Sequence, residues 1–505
     1  MKYIGSRYVP KFMGTYDATQ IYEALCVVDN GLGTSYISQK IVPAGTPLTN
    51  TTYWAIYGSP SGAIIHLQDQ IDTINKHLPT PQLFGAIGDG TNDDTQAIID
   101  ALASSDGLLY FPAGHYKITS SISIPDNYII MGDFKKSVID AYGCDAFIIN
   151  PTWGCHISDL RFVEYDSLGN PGSRAHKAII CNGSAPSDSV NYCIFKNLNI
   201  EGFNVGIDLR YTWNGIIDSC KITLTNICVQ IFGQSVNNSI SNSELTAFYN
   251  NDAIGEDSGS ASILSITDGS YSPEGLSVTN SMLTSGNWGV ALLGNFLAFE
   301  LTNSYVDLIK HRGLHLNGTS HIISNNWIQC DGDFGINIAN KASATNVDII
   351  IDSNTIKMSD ASGRGIQVGY YNNNVTVKGN IIDCYATGIY SDTYNTNNII
   401  EGNIINHLAS TTASSIYVGG KNNIIANNSS NTNGLPVQFV NNENTSIGNL
   451  DRIFNTSSLN DIPTGGTWNA GDILLFKTIT SGYIGAICTS SGTPGTWKYF
   501  GAIAP

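Results

Sequence analysis

The sequence predicts an all-β chain wound as a parallel β-helix, with a short capping helix and a small β module at each end. Three observations predict it. A six-residue pattern returns about every 22 to 28 residues, a strand of period two trails most copies, and charged residues are only 13% of a chain rich in Gly, Asn, Ser, Thr and Ile.

The pattern is an apolar residue, a spacer, Asn/Asp/Ser/Gly, a residue that is often Asn, Ser or Cys, a spacer and a second apolar residue. It runs through Ile157–Phe162, Phe195–Ile200, Ile217–Ile222, Ile240–Leu245 and Val278–Leu283. It continues through Leu301–Val306, Ile323–Ile328, Ile351–Ile356, Val377–Ile382 and Ile400–Ile405, and fades at Ile425. Longer gaps before Phe195 and Val278 mark insertions. One coil of this length cannot bury its own apolar face, so coils must stack. Asn or Ser at the same turn of successive coils can bond side chain to backbone, which accounts for the Asn-rich texture.

The trailing strands are Gly206–Leu209, Gly289–Leu292, Gly313–Leu316, Gly335–Ile338 and Gly365–Val368, each reading turn, in, out, in. A leucine-rich-repeat horseshoe is the competing solenoid. It would need a dense Leu pattern with helical segments, whereas Ile, Val, Asn and Gly dominate here.

Ahead of the repeats, the segment from Phe84 to Ile98 is followed by Leu108 to Ile118. Gly85, Gly88 and Gly90 permit a tight turn at positive φ. Asp93 reads as a helix cap with Gln96 as its capping-box partner, and Ala97, Ile98, Ala101 and Leu102 share one helical face. Such a helix, with the strand Leu108–Phe111, would plug the open end of the solenoid, where apolar core and unpaired backbone are otherwise exposed. Asp89, Asp93 and Asp94 lack the distal Glu of a calcium loop, so capping is the preferred reading. This stretch resembles the start of the pectate-lyase-like right-handed parallel β-helix carried by bacteriophage tailspikes, and the resemblance, which implies that handedness, extends from Phe84 through about Asn428.

The balance of 24 basic against 41 acidic residues gives a formal charge of −17, with no basic cluster. Nucleic acid is therefore excluded as a partner, and a polyanionic glycan would need a locally neutral or basic groove. The ten cysteines show no metal-type CxxC pairs; Cys220, Cys228 and Cys384 fall in or beside repeat strands and read as buried free thiols. Met1–Lys11 has no signal-peptide core, and no apolar run is long enough to insert in a membrane. No cofactor and no metal are expected.

Four segments are expected. Residues 1–58 form an aromatic-rich module resembling small chitin-binding-like β modules of phage structural proteins and glycosidases, in which Tyr36, Tyr53 and Trp54 either stack on sugars or form the core. Residues 59–80 form a short helical linker, where Ile64, Leu67, Ile71, Ile74 and Leu78 make an a/d seam that favours three or more strands. Residues 81–430 form the β-helix. Residues 431–505 form a second β module, with strands expected in Gly471–Phe476, Tyr483–Cys488 and Gly492–Phe500, to cap, trimerise or bind glycan.

The tailspike resemblance implies a homotrimer assembled in the host cytoplasm and carried on the virion. Its N-terminal module would join a phage tail or baseplate protein, and its solenoid would bind and depolymerise a bacterial surface polysaccharide. A non-enzymatic adhesin is the rival, and a bacterial polysaccharide lyase or hydrolase a third reading. Outward positions read Asp208, Gln230, Ala291, His315, Asn337 and Gln367. Adjacent turns supply Trp288, His311 with Arg312, and Asp331 with Asp333. For hydrolysis, Asp331 and Asp333 are the candidate carboxylate pair with Asp307 in reserve. For elimination, His315 would be the base and Arg312 would neutralise a uronate. Trp288 would stack on a sugar, and His311, Asn337 and Gln367 would bind substrate. The plain alternative is that these are solvated turn residues, with the site between subunits or near Asp166 or Glu256 in the insertions.

Overall fold

A computed structural model describes residues 2–4, 7–58, 79–248, 259–339, 341–342, 345–409, 413–431, 437–439, 444–447, 462–464, 468, 470, 473–475 and 482–503. The chain divides into two compact units, Met1–Pro79 and Thr80–Pro505.

In the first unit, Lys11–Thr15, Cys26–Asp29, Ser35–Ser38 and Trp54–Gly58 form a four-stranded sheet. Its core is Tyr22, Cys26, Val28, Val42 and Trp54, against which Tyr36 and Tyr53 pack. The Trp54 indole donates to the Thr46 carbonyl at 3.4 Å. These aromatics serve as the interior of a module too small to have another. The heptad seam from Ile64 to Leu78 lies outside the described residues.

The second unit is the expected right-handed parallel β-helix. Three sheets, of 13, 15 and 14 strands among the described residues, run the length of the solenoid. Sheet I begins at Ile122–Ile124 and includes Trp288–Leu292, Arg312–Leu316, Phe334–Ile338 and Arg364–Val368. Sheet II begins at Leu108–Phe111 and ends at Thr445–Ile447. Sheet III begins at Asp89–Asp93 and ends at Ser429–Ser430.

The six-residue pattern straddles the corner from sheet II to sheet III. Its third residue takes the left-handed conformation, with φ of 49° at Asn280, 51° at Asn303, 57° at Asn325 and 65° at Gly402. Asn and Gly are the residues that tolerate this region. The fourth residue turns inward and is buried, and the first and last are core apolars such as Ile323 and Ile328. Along the later coils the buried fourth residues Asn326, Asn354, Asn380, Asn403 and Asn428 form a ladder: Asn326 Oδ1 accepts from the Ser304 amide, and each later Oδ1 accepts from the Asn of the coil before.

The glycines leading the sheet I strands are not turn residues. Each sits one residue inside its strand, against the next coil. A Cβ at Gly289 would lie 2.5 Å from the Gly313 carbonyl oxygen, and one at Gly313 would lie 2.4 Å from that of Gly335. Only hydrogen fits there.

At the N-terminal end, the helix Thr95–Ser104 buries Ile98, Ala101 and Leu102, with Ala97 packed beside them. Its capping differs from expectation. Asp94 occupies the N-cap, and its carboxylate accepts from the Ile87 and Gly88 amides at 2.7 and 3.2 Å, pinning the glycine turn. Asp93 instead binds the Thr95 amide at 3.0 Å and the Thr119 hydroxyl at 2.6 Å, while Gln96 reaches forward to Asp100. No capping box forms, because strand Asp89–Asp93 pairs with Gly114–Ile118 and draws Asp93 away from the helix axis.

All ten cysteines are buried free thiols. Burial pushes Cys220, Cys228 and Cys384 up to about 12, which makes them inert packing groups. Near the C-terminus, Ile473–Leu475, Tyr483–Ser490 and Thr496–Ala502 form an antiparallel sheet over Ala486, Cys488 and Trp497.

Candidate functional site

Stacking converts positions distant in sequence into columns about 4.8 Å apart. On the outer face of sheet I, strand register aligns Asp208, Gln230, Leu264, Ala291, His315, Asn337, Gln367, Tyr390 and Tyr417. A neighbouring column runs Ala261, Trp288, Arg312, Phe334 and Arg364.

These columns meet around His315. The Arg312 guanidinium lies 5.8 Å from the Trp288 ring centre and 5.5 Å from that of Phe334. Arg312 Nη1 donates to His315 Nδ1 at 3.1 Å, and Asn337 Nδ2 donates to the same nitrogen at 2.8 Å. Two donors on Nδ1 place the ring proton on Nε2. Desolvation, then the charges of Arg312, His311 and Lys341, pushes His315 down to about 4. The ring is thus neutral at pH 7.

Trp288 is only 4% exposed, in an outer cluster with Ala261, Ala291, Leu264 and Leu293, 5.4 Å from the His315 ring. It forms a wall of the site rather than an open platform. Its indole N–H is buried with no acceptor among the described residues, a state that costs about 1–3 kcal/mol unless a ligand atom supplies one.

Asp331 and Asp333 lie in the turn before Phe334–Ile338 and are paired to the preceding coil. Lys310 Nζ is 2.6 Å from Asp331, and His311 Nδ1 is 3.4 Å from Asp333. The Asp333 side chain is 52% exposed and that of Asp331 28%. The His311 ring lies 6.2 Å from Trp288, so the rim pair and the buried wall adjoin. Asp307 belongs to strand Tyr305–Ile309 of sheet III and accepts from the Leu308 amide at 2.8 Å; it does not join the sheet I columns.

Gln367 is buried, accepting from Arg364 at 2.5 Å, and its amide faces Asp392 at 3.4 Å. Sequence reasoning missed Arg364, Asp392, Tyr390 and Tyr417. Arg364 lies 4.1 Å over the Tyr390 ring, which stacks on Tyr417 at 4.5 Å. The recurrence of Tyr between inward residues in Ile389–Ser391 and Ile416–Val418 was the available signal. At the other end, Asp208 is fully buried against Lys177 at 2.6 Å. In the insertions, Asp166 closes a tight turn through the Leu168 and Asn170 amides, and Glu256 lies outside the described residues. Among the described residues, no three His, Cys, Asp or Glu side chains are grouped to hold a metal ion.

Residues 82–152 match the family described as rhamnogalacturonase A/epimerase, pectate lyase-like. The chain is 26% identical over 172 residues to a pre-neck appendage protein of Bacillus phage B103, covering 33% of this chain and 19% of that protein. It is 49% identical over 123 residues to a probable glucan endo-1,3-beta-glucosidase of Arthroderma benhamiae, covering 23% of this chain and 12% of that protein. The chain thus spans less than a fifth of the length of either relative. Among solved structures, the tailspike protein of E. coli bacteriophage HK620 superposes with a TM-score of 0.51 at 12% identity, over 75% of this chain and 79% of that one. The chain thus has the parallel β-helix fold that the HK620 tailspike protein also has, and its first coils match the pectate-lyase-like family.

Proposed function

We propose that this protein is a phage tailspike that binds a bacterial surface polysaccharide along the outer face of sheet I and depolymerises it there. The observation that carries the reading is the convergence of Trp288, Arg312, His315 and Asn337 beneath a rim bearing Asp331 and Asp333. The unmet Trp288 N–H offers a donor to a ligand oxygen. Hydrolysis suits the geometry better than elimination. His315 keeps its proton on Nε2 and donates, whereas a base for elimination would need that lone pair free. Asp333, the more open carboxylate and beside His311, is the acid/base group, and Asp331 assists. The similar proteins, a phage pre-neck appendage protein and a probable glucan endo-1,3-beta-glucosidase, support both halves of the reading.

The reading includes a homotrimer on the virion, joined to the tail or baseplate through residues 1–58. An exposed apolar stripe flanks the sheet II to sheet III corner, with Ile322, Ile350 and Ile424 on one side and Tyr305, Trp327 and Ile404 on the other. Exposed apolar patches mark association surfaces, and the a/d seam of residues 64–78 favours three or more strands.

A binding-only fibre is the second reading. It is favoured by the pairing of both rim carboxylates with basic side chains. Incubating the protein with host capsule, exopolysaccharide and wall glycan, then sizing the chains, tests the two. Shortened chains support the depolymerase; binding without shortening supports the fibre.

A further inference from the structure

A hollow of about 320 Å³ lies on the first coils where sheet I gives way to sheet II. Asp126, Thr152, Trp153, Asp188, Asn191 and Trp213 line it. Three successive coils each contribute one aromatic ring to this corner. The Trp153 side is 70% exposed, and at its edge Tyr192, 53% exposed, stacks on it at 6.0 Å with planes 26° apart. Trp213 is anchored by its indole N–H to the Gln234 carbonyl at 2.9 Å.

The backbone that carries the rings is held by hydrogen bonds from coil to coil. Asp126 Oδ1 accepts from the Trp153 amide at 3.2 Å and from the Thr152 hydroxyl. The Asn191 amide donates to the Thr152 carbonyl, and the Tyr192 amide to the Trp213 carbonyl, each at 2.9 Å. Two large rings exposed to this degree contribute little to the core, and they stack on each other beside a polar cup. A flat apolar face bordered by hydroxyl, amide and carboxylate oxygens suits a pyranose, whose C–H face stacks while its hydroxyls donate. The lining holds two carboxylates, Asp126 and Asp188, and no Lys, Arg or His. The Thr152 hydroxyl keeps Asp126 below the usual carboxylate range, so its charge persists at neutral pH. A uronate or sulfated sugar would be repelled.

We propose that this corner is a second glycan-binding site, separate from the sheet I groove, that takes an uncharged hexose or N-acetylhexosamine unit. It uses none of the residues assigned to cleavage. Saturation-transfer NMR on the full chain, with hexasaccharides of glucose, of N-acetylglucosamine and of galacturonate, tests it. At least one neutral oligomer is expected to bind and the galacturonate oligomer is not. Trp153→Ala and Tyr192→Ala should each weaken binding about tenfold, with cleavage and melting temperature unchanged. Asp333→Asn should keep this binding, so failure of the cleavage reading is scored separately. Absence of binding by both neutral oligomers, equal binding of galacturonate, or full binding in the Trp153→Ala/Tyr192→Ala double variant would each overturn the proposal.

Discussion

Asn354 Oδ1 accepts two hydrogen bonds from Asn326, one from its backbone amide and one from its side-chain Nδ2, both at 3.0 Å. Asn354 repeats the arrangement downward to Asn380 and also donates to the Ile323 carbonyl at 2.9 Å. The ladder therefore pairs polar groups inside the core directly with one another.

Asn354→Ala removes the acceptor of two buried donors and one donor to a buried carbonyl. A loss of about 2–4 kcal/mol is expected, read by equilibrium denaturation. An unchanged midpoint would show that the ladder is incidental.

Acid should destabilise the protein through its buried histidines. Burial pushes His315 down to about 4 and His321 to about 3, so the folded state holds both rings neutral. The unfolded chain takes up their protons near pH 6.5. This contribution is therefore complete above pH 6.5 and is lost as pH falls through 6.5 toward 4 and 3. His315→Gln should flatten part of that acid limb in a melting-temperature profile; an identical limb in the variant would rule His315 out.

Asp333→Asn should cut cleavage by about a hundredfold or more while the melting temperature holds, since the side chain is half exposed. Full activity in Asp333→Asn, Asp331→Ala and His315→Ala together would move the active centre elsewhere.

Light scattering should give three times the chain mass of 54.2 kDa. Replacing Tyr305 and Trp327 by Lys places charge in the apolar stripe and should shift the mass toward one chain. A single-chain mass for the unaltered protein refutes the trimer.

Treatment with EDTA should leave melting temperature and cleavage unchanged, because the proposed chemistry runs on carboxylates and imidazoles. Loss of activity restored by calcium would contradict it.

The solenoid was legible because each coil repeats the same local demand: a left-handed residue, a buried polar residue and two core apolars, as in Ile323–Ile328. The capping of the first helix was not, because a strand pairing outside the helix redirected Asp93. Composition of the site was half legible. His315, Asn337 and Gln367 could be aligned by counting along uninterrupted coils, whereas the insertion ahead of Ala261 hid Leu264 from the column. Trp288 read as exposed because sequence does not reveal that Leu264 and Leu293 wrap its ring.

The glycine column from Gly289 through Gly313, Gly335 and Gly365 to Gly388 has a mechanical consequence. Sliding one coil by a residue would drive a side chain into a carbonyl that tolerates only hydrogen, so shear between coils meets a steep wall. Force applied across the solenoid axis, along the strands, is then resisted at each coil boundary in this column. New loops can be grafted at the corners, but no residue can be added within these strands. Diversification of such a molecule is confined to its edges.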